Sequence, residues 1–198
     1  AEVPVGLCLN PAVDEAKAAW YSFGFMVRRA AAVRLDVAES ELEMGMPPFK
    51  DFSVPFEPPS ARIFLSDTLE NGAGYSALLG NPDEFEALLL LILGTHPLKG
   101  GQFHNPLIAT LHQSECATSC HRCLREFGNM PYHTILDWRI GLDMARLALD
   151  AAAPINFHQS YWVDLMHREA PAYLQAFNLS VEEADGIYAG IDDTRGEG

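Results

Sequence analysis

Apolar residues in this chain fall into a few dense runs, separated by proline, glycine and acidic breaks, and the spacing inside each run assigns it to helix or strand. Over residues 14–38, Trp20, Phe23, Val27, Ala30 and Ala31 recur at helical spacing, which predicts one long helix. Residues 3–9 (VPVGLCL) are short, apolar and partly β-branched, and residues 62–65 (RIFL) are similar. Both predict strands, closed by Asn10-Pro11 and Ser66-Asp67 respectively. Asn81-Pro82-Asp83-Glu84 is a helix start: a capping side chain, a proline where no N–H is needed, then acids where the helix dipole favours them. The helix it opens runs to about Leu93 and is almost wholly apolar, so it is expected at the centre of the core.

Residues 94–105, with Gly100-Gly101, predict a loop, and residues 106–112 a short helix. Residues 134–137 fit a capping box, and the helix beyond would carry Leu136, Ile140, Met144 and Leu147 on one face until Pro154 stops it. Two further helices are predicted, over residues 158–177 and 181–189, the second capped by Ser180 with Glu183 three residues on. Residues 47–60 are proline-rich with three Phe and read as an ordered connector that pins aromatics to the core. The sum is a mainly helical α+β fold with a small β-sheet. One domain is expected over residues 1–191, with a flexible tail at 192–198. There are no internal repeats.

Composition narrows the function classes. With 198 residues, 48% of them hydrophobic, the chain can bury a real core without disulfides. The formal net charge of −14 and pI near 4.7 make it a poor nucleic-acid binder by itself. Arg28, Arg29 and Arg34 form the one basic patch of the first helix, read as a solvated face rather than a phosphate or partner contact. No basic start followed by an apolar stretch marks a signal peptide, and the longest apolar run, residues 87–93, is too short to span a bilayer. The expectation is a cytoplasmic, reducing setting, where clustered cysteines mean metal or redox chemistry more often than disulfides. The chain opens at Ala1, which reads as a fragment or a processed product.

Three of the four cysteines sit within eight residues, Cys116, Cys120 and Cys123, in C-x3-C-x2-C spacing, with His112 four positions earlier. Three thiolates and one imidazole close a tetrahedron around zinc. His112 is the preferred fourth ligand, one helical turn before Cys116, with Cys8, His104 and His133 as alternatives. Cys8 itself reads better as a small core residue in its strand. The same spacing occurs in iron–sulfur radical enzymes. Only 75 helix-rich residues follow Cys123, however, too few for the βα barrel that carries such clusters, and Arg122 stands where those enzymes have an aromatic. Asn129, His133 and Asp137 are read as groups that satisfy the backbone near the metal loop or orient its ligands. In a metal-dependent nuclease or hydrolase, His133 or Asp137 would be the base. A second concentrated signal is residues 67–75 (DTLENGAGY). It reads as a tight turn that Asp67 caps, Gly72 and Gly74 supplying the backbone freedom and Tyr75 opening a short helix. An anion-binding loop is the alternative.

Two blocks together, D-x3-[GN]-G-A-G-Y at residues 67–75 and C-x3-C-x2-C-L-R-x-[YF]-x-N-x3-H-x2-L-D-[WR] at residues 116–138, resemble the MrfA-type zinc-binding domain, a domain associated with superfamily 2 helicases. Within that group the likeness is to the DrmB subunits of the DISARM antiphage system. It covers about residues 13–149. Asn71 departs from the usual glycine, and only three cysteines are local where helicase-fused members have four. The resemblance implies a zinc-binding accessory domain without a reaction of its own. Its partner would be a superfamily 2 helicase subunit or domain, through which it would meet DNA. It also implies a place at the C-terminal end of a longer polypeptide. No P-loop is present in the chain.

Overall fold

A computed structural model describes residues 10–49, 60–69, 72–154, 156–176, 180–184 and 187–191. The strand expected at 3–9 with Cys8, the middle of the proline-rich connector, Asn71 and the tail at 192–198 lie outside these residues. The fold is mainly helical α+β, with small antiparallel sheets. Contacts divide the chain into two compact units, Ala1–Ala153 and Pro154–Gly198, a division that the expectation of one domain over 1–191 did not contain.

The first unit is built around α1 (Asp14–Leu35). Acids open this helix and Arg34 lies in its last turn, both matched to the dipole. It ends where Asp36 takes a left-handed conformation at φ 58° and returns its N–H to Ala32. Every residue from Ser22 to Val27 is buried, as are Ala30, Ala31 and Ala32, so the helix is enclosed on most sides rather than along one stripe. Strand β1 (Leu42–Gly45) lies against it and pairs with β4 (Phe64–Asp67). The ends of the connector pair as β2 (Pro48–Phe49) and β3 (Ser60–Ala61). Helix α2 (Tyr75–Leu79) packs on β4. Helix α3 (Pro82–Ile92) starts as expected, with the Asn81 side chain accepting from the Asp83 N–H at 2.9 Å, and buries Leu88, Leu89, Leu91 and Ile92.

The predicted short helix is two: α4 (His104–Ile108) and α5 (Thr110–Glu115), separated at Ala109 by one extended residue. Helix α6 (Trp138–Leu149) packs on α1 and α3. Two expectations about α6 are corrected. Its cap is Asp137, whose carboxylate accepts from the Arg139 N–H at 2.9 Å, so the helix begins four residues after Thr134. Its buried face is Trp138, Gly141, Leu142 and Ala145, rather than the face of Ile140, Met144 and Leu147. The reason is size. A Cβ on Gly141 would lie 2.8 Å from Met26 Cε and 3.1 Å from the Ser22 carbonyl, so the glycine lets the two helix backbones approach. The helix also ends at Leu149, before Pro154.

The three arginines of α1 do not form a solvated face. Arg28 donates to the carbonyls of Glu39 and Leu42 at 2.7 Å each and pairs with Glu126. Arg29 donates to the His121 carbonyl and faces Glu39, and Arg34 pairs with Glu84. They tie α1 to segments distant in sequence, including the first turn of α3 and the loop after the cysteines.

The second unit holds α7 (Ser160–Ala176), where a helix was expected, and an antiparallel hairpin of β5 (Ser180–Ala184) and β6 (Ile187–Ile191), where another helix was expected. Val181, Ala184, Tyr188 and Ile191 satisfy helical spacing, whereas Ile187, Ala189 and Ile191 alternate with the period of a strand. The Asp185-Gly186 dipeptide between the two runs is the hairpin signal that outweighs the Ser180 cap. Among the described residues no helix is long and apolar enough to cross a membrane.

Candidate metal centre

Helix α5 ends by handing its last turn to the cluster. The N–H of Cys116 closes on the carbonyl of His112 at 2.9 Å, so the two side chains sit one turn apart on the same face. After Cys116 the chain loops back through a tight turn. The Cys120 carbonyl accepts the N–H groups of Cys123, Leu124 and Arg125 at 3.0 to 3.1 Å, and the Cys120 N–H points at Cys123 Sγ, 3.0 Å away. This turn aims Cys120 and Cys123 at the same point as Cys116 and His112.

The ligand atoms of His112, Cys116, Cys120 and Cys123 all lie within 4.8 Å of one another and could hold a metal ion. Cys116 Sγ is 3.7 Å from Cys123 Sγ, Cys120 Sγ is 3.8 Å from Cys123 Sγ, and Cys120 Sγ is 3.5 Å from His112 Nε2. A tetrahedron with metal–sulfur bonds of about 2.3 Å and a metal–nitrogen bond of about 2.0 Å has sulfur–sulfur edges of about 3.8 Å and sulfur–nitrogen edges of about 3.5 Å. These three separations match those edges. They are far beyond a disulfide bond of about 2.05 Å. The three sulfurs also converge on one point, whereas thiolates of an iron–sulfur cluster bind separate irons and stand apart.

His112 Nδ1–H donates to the Leu107 carbonyl at 2.7 Å, which leaves Nε2 as the ring nitrogen facing the sulfurs. His112, Cys116 and Cys123 are buried, and Cys120 is half-buried. The contacts within the cluster favour a thiolate on Cys123 and a proton on His112. The Cys116 thiol, then His112 and the Cys120 N–H, hold Cys123 down to about 4, and the contact with Cys123 lifts His112 to about 9. The same Cys116–Cys123 contact pushes Cys116 up. A cation entering here displaces protons from groups already turned toward it.

The loop between the first two cysteines is fixed from α6. The Trp138 N–H donates to the Thr118 carbonyl at 3.1 Å, and Arg139 donates through both terminal nitrogens to the Ala117 carbonyl. Trp138 stands against the His112 ring with centroids 5.3 Å apart. Asp137 is held in turn by α1, its N–H donating to Ser22 Oγ at 2.9 Å, and burial raises its carboxyl above the usual range. Arg139 and Ser22 carry no sequence signature, because their partners are backbone groups distant in the chain. Only the place of Trp138 and Arg139 at the end of the phrase LDWR pointed this way.

Asn129 and His133 do not reach the cluster. Asn129 is fully buried. It donates to the Leu124 carbonyl at 2.8 Å and accepts from the Glu126 N–H at 3.0 Å and from His133 Nε2–H at 2.8 Å. The pair fixes the chain just after Cys123 and is spent on backbone and on each other. His104 packs against Gly94, away from the four-residue group. Asp67 accepts the N–H groups of Gly74, Tyr75 and Ser76 at 2.7, 3.2 and 2.9 Å, with Gly72 and Gly74 at positive φ. Its own carboxylate fills the place an anion would take at the start of α2, and those N–H groups, that of Ser76 foremost, hold its pKa below the usual carboxylate range. No family model, no curated protein and no solved structure matches this chain.

Proposed function

We propose that the chain is a zinc-binding accessory module, without catalysis of its own, that works in a helicase-linked DNA-processing assembly of the antiphage-defence kind. The observation that carries the metal half is the convergence of His112, Cys116, Cys120 and Cys123 at tetrahedral edge lengths. Three thiolates and one imidazole suit zinc over the harder divalent ions. Four protein donors fill the coordination shell, so the ion supplies folding free energy rather than an activated water. The residues a hydrolase would use as base are engaged elsewhere: His133 bonds Asn129, and Asp137 caps α6 beside Arg139.

The assembly half rests on the resemblance of residues 67–75 and 116–138 to the MrfA-type domain. The net charge of −14 supports a basic protein surface as the direct partner, with DNA reached through that partner.

Two measurements test this reading. Metal analysis of the purified chain is expected to give one zinc per molecule. The cobalt-substituted form is expected to show thiolate charge-transfer bands and the intense visible bands of a tetrahedral ion. A weak, octahedral cobalt spectrum, or a brown protein containing iron and sulfide, overturns the metal half. Co-expression with a superfamily 2 helicase tests the other half, where co-purification that weakens with salt is expected. Nuclease activity lost in His133→Ala, with the fold intact, would replace this reading with a hydrolytic one.

A further inference from the structure

We propose that Cys120 and Cys123 are a peroxide-oxidisable thiolate pair, and that a two-electron oxidant ejects the metal by closing a disulfide within their single turn. The inference rests on the metal-binding reading above. Access separates the three sulfurs. Cys116 is 2% exposed and Cys123 0%, whereas Cys120 is half-buried and reaches the surface. Arg122 is exposed, stands two positions after Cys120 in the same turn and is paired with Glu115. A hydroperoxide arriving there meets the least buried of the three metal-bound sulfurs of that reading.

The chemistry balances in two steps. The Cys120 thiolate attacks one oxygen of hydrogen peroxide, the O–O bond breaks, and a sulfenic acid and hydroxide result. The Cys123 thiolate, 3.8 Å away, then attacks the Cys120 sulfur, closes the S–S bond and expels a second hydroxide. Two thiolates lose the two electrons that the O–O bond gains. The turn suits this product. The Cys123 N–H bonds the Cys120 carbonyl at 3.0 Å, and such a turn keeps its end Cα atoms within about 7 Å, the reach of a disulfide. Cys116 lies as near to Cys123, but its burial removes it from the first step. With Cys120 and Cys123 joined, His112 and Cys116 remain as two donors, too few to retain zinc.

The test uses the full, zinc-loaded chain. Hydrogen peroxide is titrated in the presence of a chromophoric zinc chelator, and the protein is then denatured, alkylated and mapped by mass spectrometry. One zinc released per peroxide consumed, a Cys120–Cys123 link and an alkylated Cys116 are expected. A disulfide through Cys116, or zinc retained under excess peroxide, overturns the proposal. A chain that carries no metal before oxidant is added refutes the metal-binding reading instead. Mapping the thiols of that metal-free protein then still decides whether Cys120 and Cys123 pair.

Discussion

Replacing Gly141 by alanine tests whether close approach of α1 and α6 is what holds the metal loop. Alanine in a helix interior is favoured over glycine by about 1 kcal/mol. Against this, the new Cβ would meet Met26 Cε at 2.8 Å, Met26 Sδ at 3.2 Å and the Ser22 carbonyl at 3.1 Å. Met26 can change rotamer, but the Ser22 carbonyl is backbone of a buried helix and moves only with α1. Overpacking of that kind costs roughly 1–3 kcal/mol, so Gly141→Ala should lose about 1 kcal/mol net. Gly24→Ala is the matched control. It gains the same propensity, and the three atoms nearest its Cβ all belong to the Met44 side chain, Sδ at 2.9 Å, which can swing away. Gly24→Ala should therefore fall near neutral. Urea unfolding of the two variants, with the slope checked for constancy, should separate them by about 1–2 kcal/mol. In thermal melts that is roughly 2–8 °C for a unit of this size. Because Asp137, Trp138 and Arg139 lie one turn before Gly141 and fix the 117–118 carbonyls, Gly141→Ala should also weaken zinc in chelator competition while Gly24→Ala should not. A Gly141→Ala protein as stable as Gly24→Ala, with unchanged zinc affinity, would refute this reasoning.

Three further outcomes follow from the same geometry. Asn129→Ala leaves the Leu124 carbonyl and the Glu126 N–H without this partner, while the His133 ring N–H keeps the Glu126 carbonyl, so urea unfolding should show a loss of roughly 2 kcal/mol. Asp67 has a depressed folded-state pKa, so its stabilisation is present above its unfolded value of about 3.9 and is lost as pH falls through the lower folded value. The melting difference between wild type and Asp67→Asn should thus be steady from pH 7 to 5 and vanish in stronger acid; a difference that persists unchanged in acid would count against the carboxylate. Removing the metal with a chelator should lower the melting temperature of the first unit and leave Cys116, Cys120 and Cys123 open to alkylation without denaturant, whereas an identical melt with protected thiols would show that the ion does not hold the fold.

What could be read in advance was what is local. The ligand set spans one short stretch, and His112 to Cys116 is one helical turn, so spacing alone brought them together. The caps at Asn81 and Asp67 were legible for the same reason, since each side chain bonds backbone within nine residues. Arg28, by contrast, meets Glu126 across 98 positions, and nothing in its neighbourhood distinguishes it from a solvated arginine. The face of α6 was misjudged because Gly141 and Ala145 carry little hydrophobic weight. Their small size is what fits them to α1, a matter of shape that apolar periodicity does not register. The hairpin at residues 180–191 was missed where two periodicities fit one short segment and the turn dipeptide settled the competition.

The contrast between local and distant contacts also bears on how the chain reaches this state. Cys116 and Cys123 are 7 residues apart, whereas Ser22 and Asp137, whose bond joins α1 to α6, are separated by 115. Closing the longer loop costs roughly 2–3 kcal/mol more in chain entropy than closing the shorter one. If the proposed metal binds at the cysteines, a knot around them can assemble in the unfolded chain before α1 arrives, which would leave docking of α1 as the slow step. Metal bound that early stabilises the starting ensemble as well as the product. Its effect should fall chiefly on the stability of the folding nucleus and little on the rate at which α1 finds Asp137, so refolding with zinc present from the start and with zinc added after collapse should converge on the same final docking rate.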